Sequence, residues 1–175
     1  MNVILVTGTP GTGKTTLSIK LAKKLDFHYI DINKLIRRYG LSESYDRKRK
    51  TKVVDARKLN RALINEIMSI KKNPIKKHNS IINSNIAKKT IKNKKHPKII
   101  NKKIKNGIII DSHLSHYLPK QYADLCIVTK CDLKVLKNRL KNKKYSESKV
   151  RENLDAEIFD ICLNEAKENK HKIII

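Results

Sequence analysis

Apolar positions along the chain fall into short continuous runs that alternate with helical spacings. Val3 to Val6 form an unbroken apolar run closed by Thr7-Gly8, the pattern of a strand buried on both faces of a parallel sheet. Leu17, Leu21 and Leu25 then recur every four residues, which predicts a helix opening near Gly13. "FHYIDI" (Phe27 to Ile32) reads as a second strand, and Asp55 is placed to cap a helix whose Leu59, Leu63 and Ile67 face a core. "GIIID" (Gly107 to Asp111) and "ADLCIVT" (Ala123 to Thr129) read as two further strands. Asp132 caps a helix carrying Leu133, Leu136 and Leu140. One long helix is expected beyond it, with Val150, Leu154, Ile158, Ile161 and Ala166 on one side, and the closing "KIII" reads as a last strand. Strands alternating with helices predict an α/β domain built on a parallel sheet.

One stretch breaks the pattern. Between Lys71 and Lys105 there are thirteen lysines and no acidic residue, and the isoleucines keep no sustained period. Pro74 and Pro97 interrupt both ends. The stretch reads as a low-complexity insertion, disordered or only locally helical. Its lysines suit contact with RNA phosphates, whereas the lack of interleaved aromatic or arginine residues suits a passive surface loop.

Composition narrows the class of protein. At 175 residues the chain is long enough for one domain with a proper core. A formal charge of +25 favours polyanionic partners such as nucleotides or RNA. No apolar run approaches the roughly 20 residues that span a bilayer, so no membrane partner is expected. "MNVILVTG" has no basic stretch ahead of its apolar run and no small-residue cleavage site, which excludes a signal peptide. Cys126, Cys131 and Cys162 are odd in number and lack CxxC spacing, which argues against a disulfide framework or a zinc site. A soluble protein of the reducing cytoplasm, with its cysteines packed as small hydrophobes, is expected.

The chain has five glycines, and three of them lie in "GTPGTGKTT" (Gly8 to Thr16). Gly8-x-x-x-x-Gly13-Lys14-Thr15 matches the phosphate-binding loop GxxxxGK[ST]. Glycines let the backbone turn tightly and present its N–H groups to phosphate oxygens, and the helix beginning there adds its positive dipole end. Lys14 is placed to reach the β- and γ-phosphates, and the Thr15 hydroxyl to ligate magnesium. Asp111, ending an apolar strand, is the candidate for the second magnesium-side carboxylate. Many strands end in Asp as a turn residue, but the loop favours the functional reading. His113, two residues on, could orient or deprotonate a water aimed at the γ-phosphate, or simply bond backbone at a strand end. His116 reads as structural.

With the loop and "DSH" together, the chain resembles the adenylate kinase isoenzyme 6 family, also called the coilin-interacting nuclear ATPase family, and most of all its archaeal members. The stretches that carry the resemblance are "VTGTPGTGKTTLSIKLAKKLDFHYIDINKL", Tyr45-Asp46, Val53 to Asp55, "IIIDSHLSHYLP" (Ile108 to Pro119), "VLKNRL" (Val135 to Leu140) and "YSESKVRENLDAEI" (Tyr145 to Ile158). It implies a single P-loop NTPase domain over 1–175, of nucleoside monophosphate kinase type, with a five-stranded parallel sheet flanked by helices. Within it, an NMP-binding segment over 31–54 and a lid over 142–152 are implied. The implied activity is broad-specificity ATP:AMP phosphotransfer with magnesium, together with ATP hydrolysis. The resemblance also implies a role in maturation of the small ribosomal subunit. There, family members bind one small-subunit ribosomal protein transiently (number eleven in bacteria, fourteen in eukaryotes).

Residue by residue, Gly11, Gly13, Lys14, Thr15 and Thr16 match the family's ATP-phosphate contacts, and Thr15 with Asp111 its magnesium side. Arg37 matches an arginine that holds the AMP phosphate, while Arg38 does not match. Arg139 matches a cationic residue at the start of the lid, on the donor side. Lys143 stands where many members have arginine, and Lys144 where many have glycine. The implied catalytic set is Lys14, Asp111 and Arg139; His113 joins it as the hypothetical hydrolysis base. The rival functional readings are a ribosome-assembly ATPase switch with secondary kinase activity and a P-loop kinase for another small acceptor. The fold works as a monomer.

Overall fold

The computed structural model describes residues 1–47, 51–72 and 106–175. Five parallel strands form its centre: β1 (Asn2–Thr7), β2 (His28–Asp31), β5 (Gly107–Asp111), β6 (Leu125–Val128) and β7 (Ile173–Ile174), in the order β2-β5-β1-β6-β7. The helices are α1 (Lys14–Leu25), α2 (Ile32–Tyr39), α3 (Ala56–Lys72), α4 (Leu133–Asn142), α5 (Glu147–Ile158) and α6 (Ile161–Glu168). A separate antiparallel hairpin, β3 (Ser42–Asp46) with β4 (Thr51–Val54), follows α2. The insertion expected over 71–105 lies outside the described residues, apart from Lys71 and Lys72, which close α3.

The central strands β1, β5 and β6 are mostly apolar because both faces of the sheet are covered. Alternate side chains point to opposite faces. Val3, Leu5, Ile30, Ile108, Ile110, Cys126 and Val128 join Leu35 of α2, Leu59, Leu63 and Ile67 of α3, and Leu163 of α6 in the larger core cluster. Val6 and Ile109, with Ile4, Tyr29 and Ile127 beside them, pack against Leu17, Leu21 and Ala22 of α1. A third cluster, around Leu136, Leu140 and Val150, joins α4 to α5. Truncating a side chain in layers this tight typically costs about 2–5 kcal/mol. No helix among the described residues is long and apolar enough to cross a membrane.

The predicted caps form. Asp55 Oδ1 accepts from the Arg57 N–H at 2.7 Å, and Asp132 Oδ1 from the Lys134 and Val135 N–H groups at 2.9 and 3.1 Å. β5 keeps its expected bounds, whereas β2 and β6 are shorter than their sequence runs: Phe27 precedes β2, and Ile32 already begins α2. Leu25 and Leu133, on the helices that their spacing predicts, stand 42% and 41% exposed at helix ends. Of the cysteines, Cys126 is buried, and Cys131 and Cys162 are half-buried.

The expected single long helix is two. Asp160 adopts a left-handed conformation (φ 54°) between α5 and α6. Lys130 meets the break: its ammonium donates to the Glu157 carbonyl at 3.1 Å and pairs with the Asp160 carboxylate. Asn164 Nδ2 donates to the Phe159 carbonyl at 3.0 Å. Ile158, Phe159 and Ile161 point outward, at 55%, 66% and 42% exposure. Their helical spacing gave no warning of this, because the groups that take up the freed carbonyls include a residue about thirty positions upstream.

Lys144 also holds a positive φ, at 56°, where its N–H bonds the Lys141 carbonyl at 2.8 Å beyond the end of α4. A Cβ in this region costs energy that glycine avoids. Lys144→Gly is therefore expected to stabilise the protein by about 0.5–1 kcal/mol after the added freedom of the unfolded glycine is subtracted. A urea midpoint that rises at unchanged slope would register it.

Candidate active site

The loop between β1 and α1 is shaped by three positive-φ glycines, Gly8 (135°), Gly11 (101°) and Gly13 (102°). Gly13 is the N-cap of α1, and Thr15 and Thr16 lie exposed in the first turn. The first amides of a helix have no intrahelical acceptor, so this end is a ready site for anionic oxygens. Two hydroxyls fasten the loop. Thr12 Oγ1 donates to the Thr9 carbonyl at 2.9 Å and meets Thr129 Oγ1 at 2.6 Å, while Thr129 Oγ1 donates to the Thr7 carbonyl at 3.1 Å.

Lys14 is buried, and its Nζ donates to the Thr9 carbonyl at 2.9 Å. Burial is the main cause that lowers its pKa from 10.5 to about 8; Cys162 and Asp111 work in the opposite direction, and Lys143 adds to the lowering. The loop thus holds its ammonium under-solvated, a condition that a polyphosphate relieves.

Asp111 stands at the end of β5, opposite Val6 of β1 in the register. It is 4% exposed, and its Oδ2 accepts from the Tyr29 hydroxyl at 2.8 Å. Its Oδ1 is buried with no hydrogen-bond partner among the described residues. A lone carboxylate oxygen in that state is costly unless a cation or bound water completes it. The residues therefore fit a hard divalent cation: Asp111 and the Thr15 hydroxyl would hold it, directly or through its waters.

His113 is exposed at the surface. Desolvation by the groups around it, then the charges of Lys14, His116 and Lys149, lowers its pKa from 6.5 to about 4. His116, by contrast, is fully buried and bonded to Thr7 and Glu165, the structural role expected of it.

Arg139 leaves α4 for the loop, where its Nη1 donates to the Gly11 carbonyl at 3.2 Å and to Cys131 Sγ at 3.5 Å. Lys143 ends α4, exposed and within electrostatic reach of Lys14. Arg37 is exposed on α2 and makes no hydrogen bond or ion pair among the described residues, whereas Arg38 pairs with Glu66 at 3.4 Å. Lys14, Thr15, Asp111, His113, Arg139 and Lys143 thus gather around one loop. Arg37 stands apart from it, on the segment that follows β2.

The AAA domain family matches residues 4–160 of this chain. A "Putative adenylate kinase" of Methanocaldococcus jannaschii is 32% identical over 170 residues, which cover 97% of this chain and 75% of the relative. An "Adenylate kinase isoenzyme 6 homolog" of Caenorhabditis elegans is 30% identical over 172 residues, covering 98% and 76%. This chain belongs to the adenylate kinase isoenzyme 6 family. A "Shikimate kinase from Acinetobacter baumannii in complex with shikimate" superposes with a TM-score of 0.50 at 13% identity, over 100% of this chain and 83% of that one. That likeness shows the P-loop kinase fold alone. Membership of the isoenzyme 6 family, together with the loop, supports a kinase-type phosphotransferase.

Three contributors to this isoenzyme 6-type site escaped the sequence reading: Tyr29, the Thr12–Thr129 pair, and the Thr7–His116–Glu165 chain. Tyr29 pairs with Ile109 in the register, so it is the diagonal same-face neighbour of Asp111. Only strand order and register reveal that relation. Burial and the Asp111 charge raise the Tyr29 pKa well above its ordinary value, so its hydroxyl stays a donor.

Proposed function

We propose that the protein is a nucleoside monophosphate kinase that transfers the γ-phosphoryl group of ATP to AMP with magnesium, and that it also hydrolyses ATP. The observation that carries this reading is the pairing of an under-solvated Lys14 with the half-satisfied carboxylate of Asp111 beside one glycine loop. Transfer between two phosphates needs little proton chemistry, so positioning and charge neutralisation supply most of the rate. Loop amides and Lys14 hold the β- and γ-phosphates. Arg139, already at the Gly11 carbonyl, swings its guanidinium onto the donor side. Magnesium, when bound, neutralises phosphate charge; Thr15 and Asp111 fix where it sits.

The segment 31–54, comprising α2 and the β3–β4 hairpin, is the proposed AMP-binding part, with Arg37 gripping the acceptor phosphate. The stretch 142–152, from the end of α4 into α5, is the proposed lid and carries Lys143. Tyr29 and Asp31, both on β2, link the first of these parts to the magnesium side, since Asp31 caps α2 through the Asn33 N–H at 2.8 Å. ADP formed from ATP only when AMP is present is the expected result. Absence of AMP-dependent ADP would overturn the kinase reading.

His113 favours the second output. AMP phosphorylation has no use for an imidazole, yet this one lies within electrostatic reach of Lys14. We assign it to orienting the water of hydrolysis; a pKa lowered to about 4 makes it a weak base. His113→Ala is expected to lower AMP-independent phosphate release by about 10²-fold, with AMP phosphorylation within a few-fold of normal. Hydrolysis at the wild-type rate would remove the role. A hydrolytic cycle suits an assembly switch on the small ribosomal subunit, with its small-subunit protein and rRNA as partners, and the +25 charge is compatible with that setting.

A further inference from the structure

Behind the loop, on the side away from Arg139, three side chains of different chemistry converge. His116 lies in a short 3-10 turn (Ser115–Tyr117), and Cys162 and Glu165 lie three residues apart on α6, hence on one helix face. One ligand atom from each, an imidazole nitrogen, the thiol sulfur and a carboxylate oxygen, lies within 4.8 Å of the other two. His116 Nε2 and Glu165 Oε2 are 2.9 Å apart.

Two of the three are also steered from behind. Thr7 Oγ1 is 2.6 Å from His116 Nδ1, and the Tyr117 hydroxyl donates to Glu165 Oε1 at 2.7 Å. The Gly8 N–H lies near the Cys162 sulfur and favours its thiolate. The atoms left over are the three that converge. Orientation of ligands by outer partners is the arrangement that metal centres use. His116 is fully buried, while the Glu165 side chain keeps 32% of its surface exposed, so the cluster reaches the surface at its carboxylate end.

We propose that His116 Nε2, Cys162 Sγ and Glu165 Oε2 bind one borderline-soft divalent cation of the Zn²⁺ class, with water in the fourth position. Bonds of about 2.0–2.3 Å to such an ion need donor atoms roughly 3.2–3.8 Å apart, so the side chains shift by about 1 Å or less. The thiol proton leaves to solvent. The imidazole N–H that faces Glu165 in the metal-free protein shifts to Nδ1, where it is donated to Thr7 Oγ1, and so frees the Nε2 lone pair. The nitrogen–sulfur–oxygen set separates this site from the all-oxygen magnesium side at Thr15 and Asp111. Because Thr7 and Gly8 begin the phosphate loop, the ion ties α6 to the loop's root. The proposal is independent of the acceptor that the kinase uses.

Cobalt(II) added to the chelator-treated full-length protein tests it. A thiolate-to-cobalt charge-transfer band is expected, together with the visible bands of tetrahedral cobalt and bleaching by stoichiometric Zn²⁺ but not by excess Mg²⁺. Surface histidines cannot produce the thiolate band. Cys162→Ser, with folding checked by circular dichroism, should abolish it, Glu165→Gln should weaken cobalt binding at least about tenfold, and Cys131→Ser should leave the band intact. No thiolate band in the wild-type protein, or an undiminished band in Cys162→Ser, would overturn the site and leave the trio as an ordinary buried hydrogen-bond network.

Discussion

Lys14→Ala is expected to remove measurable MgATP binding and to lower phosphoryl transfer by on the order of 10²- to 10³-fold, the usual cost of deleting a preorganised charge at a developing anion. The fold should survive, because in the ligand-free protein this ammonium is a burden: burial has lowered its pKa from 10.5 to about 8. The sign follows by linkage. Between about 8 and 10.5 the unfolded chain binds the lysine proton more tightly than the folded one, so stability rises with pH across that window. Nucleotide affinity runs the other way. Polyphosphate favours the charged lysine, so binding takes up a proton above pH 8 and weakens by up to about tenfold per pH unit there. Calorimetry in buffers of different ionisation enthalpy should detect that uptake in the wild-type protein and none attributable to position 14 in the alanine variant. Proton uptake that is unchanged in the variant would contradict the assignment.

Gly8→Ala should be the most damaging single substitution outside the hydrophobic layers. A Cβ built there would sit 2.5 Å from the Thr129 carbonyl oxygen and 2.6 Å from Thr129 Oγ1, at a φ of 135° that L-residues rarely adopt. The first obstacle is backbone, held by the Thr129 N–H to Thr7 carbonyl bond at 2.9 Å, so it cannot swing aside as a flexible side chain would. Overpacking and backbone strain together suggest a loss of roughly 3 kcal/mol. For a domain of this size that corresponds to a fall in Tm of about 6–12 °C. Relief would have to come from moving β6 or the loop, and either move misdirects the amides that face phosphate. Loss of nucleotide binding should therefore accompany the loss of stability. A variant that melts normally and binds MgATP normally would show that the approach of Gly8 to Thr129 is not required.

The phosphate loop was legible because its chemistry is local. Gly8, Gly13, Lys14 and Thr15 act through backbone geometry and a helix end, and both are set by residues adjacent in the chain. The strands were legible for a related reason: a sheet covered on both faces demands continuous apolar runs, and "VILV" and "GIIID" are such runs. Caps such as Asp55 and Asp132 are likewise short-range, each reaching amides two and three residues on. The helix break at Asp160 was not legible, since the contacts that accompany it come in part from Lys130, thirty residues earlier in the chain. Tyr29 read as one more strand residue until the register set it diagonally across from Asp111.

By itself the sequence determined the strand and helix alternation, the loop that clasps phosphate, and a strongly cationic chain. The tertiary structure alone decided which strands are neighbours, and through that which oxygen of Asp111 is taken by Tyr29 and which is left bare. It also decided that a histidine after β5 meets a cysteine and a glutamate on α6. The physical reason is one of range. Backbone preference and hydrophobic period act over a few residues, whereas hydrogen bonding, desolvation and ligand convergence depend on distances that exist only once the chain has packed.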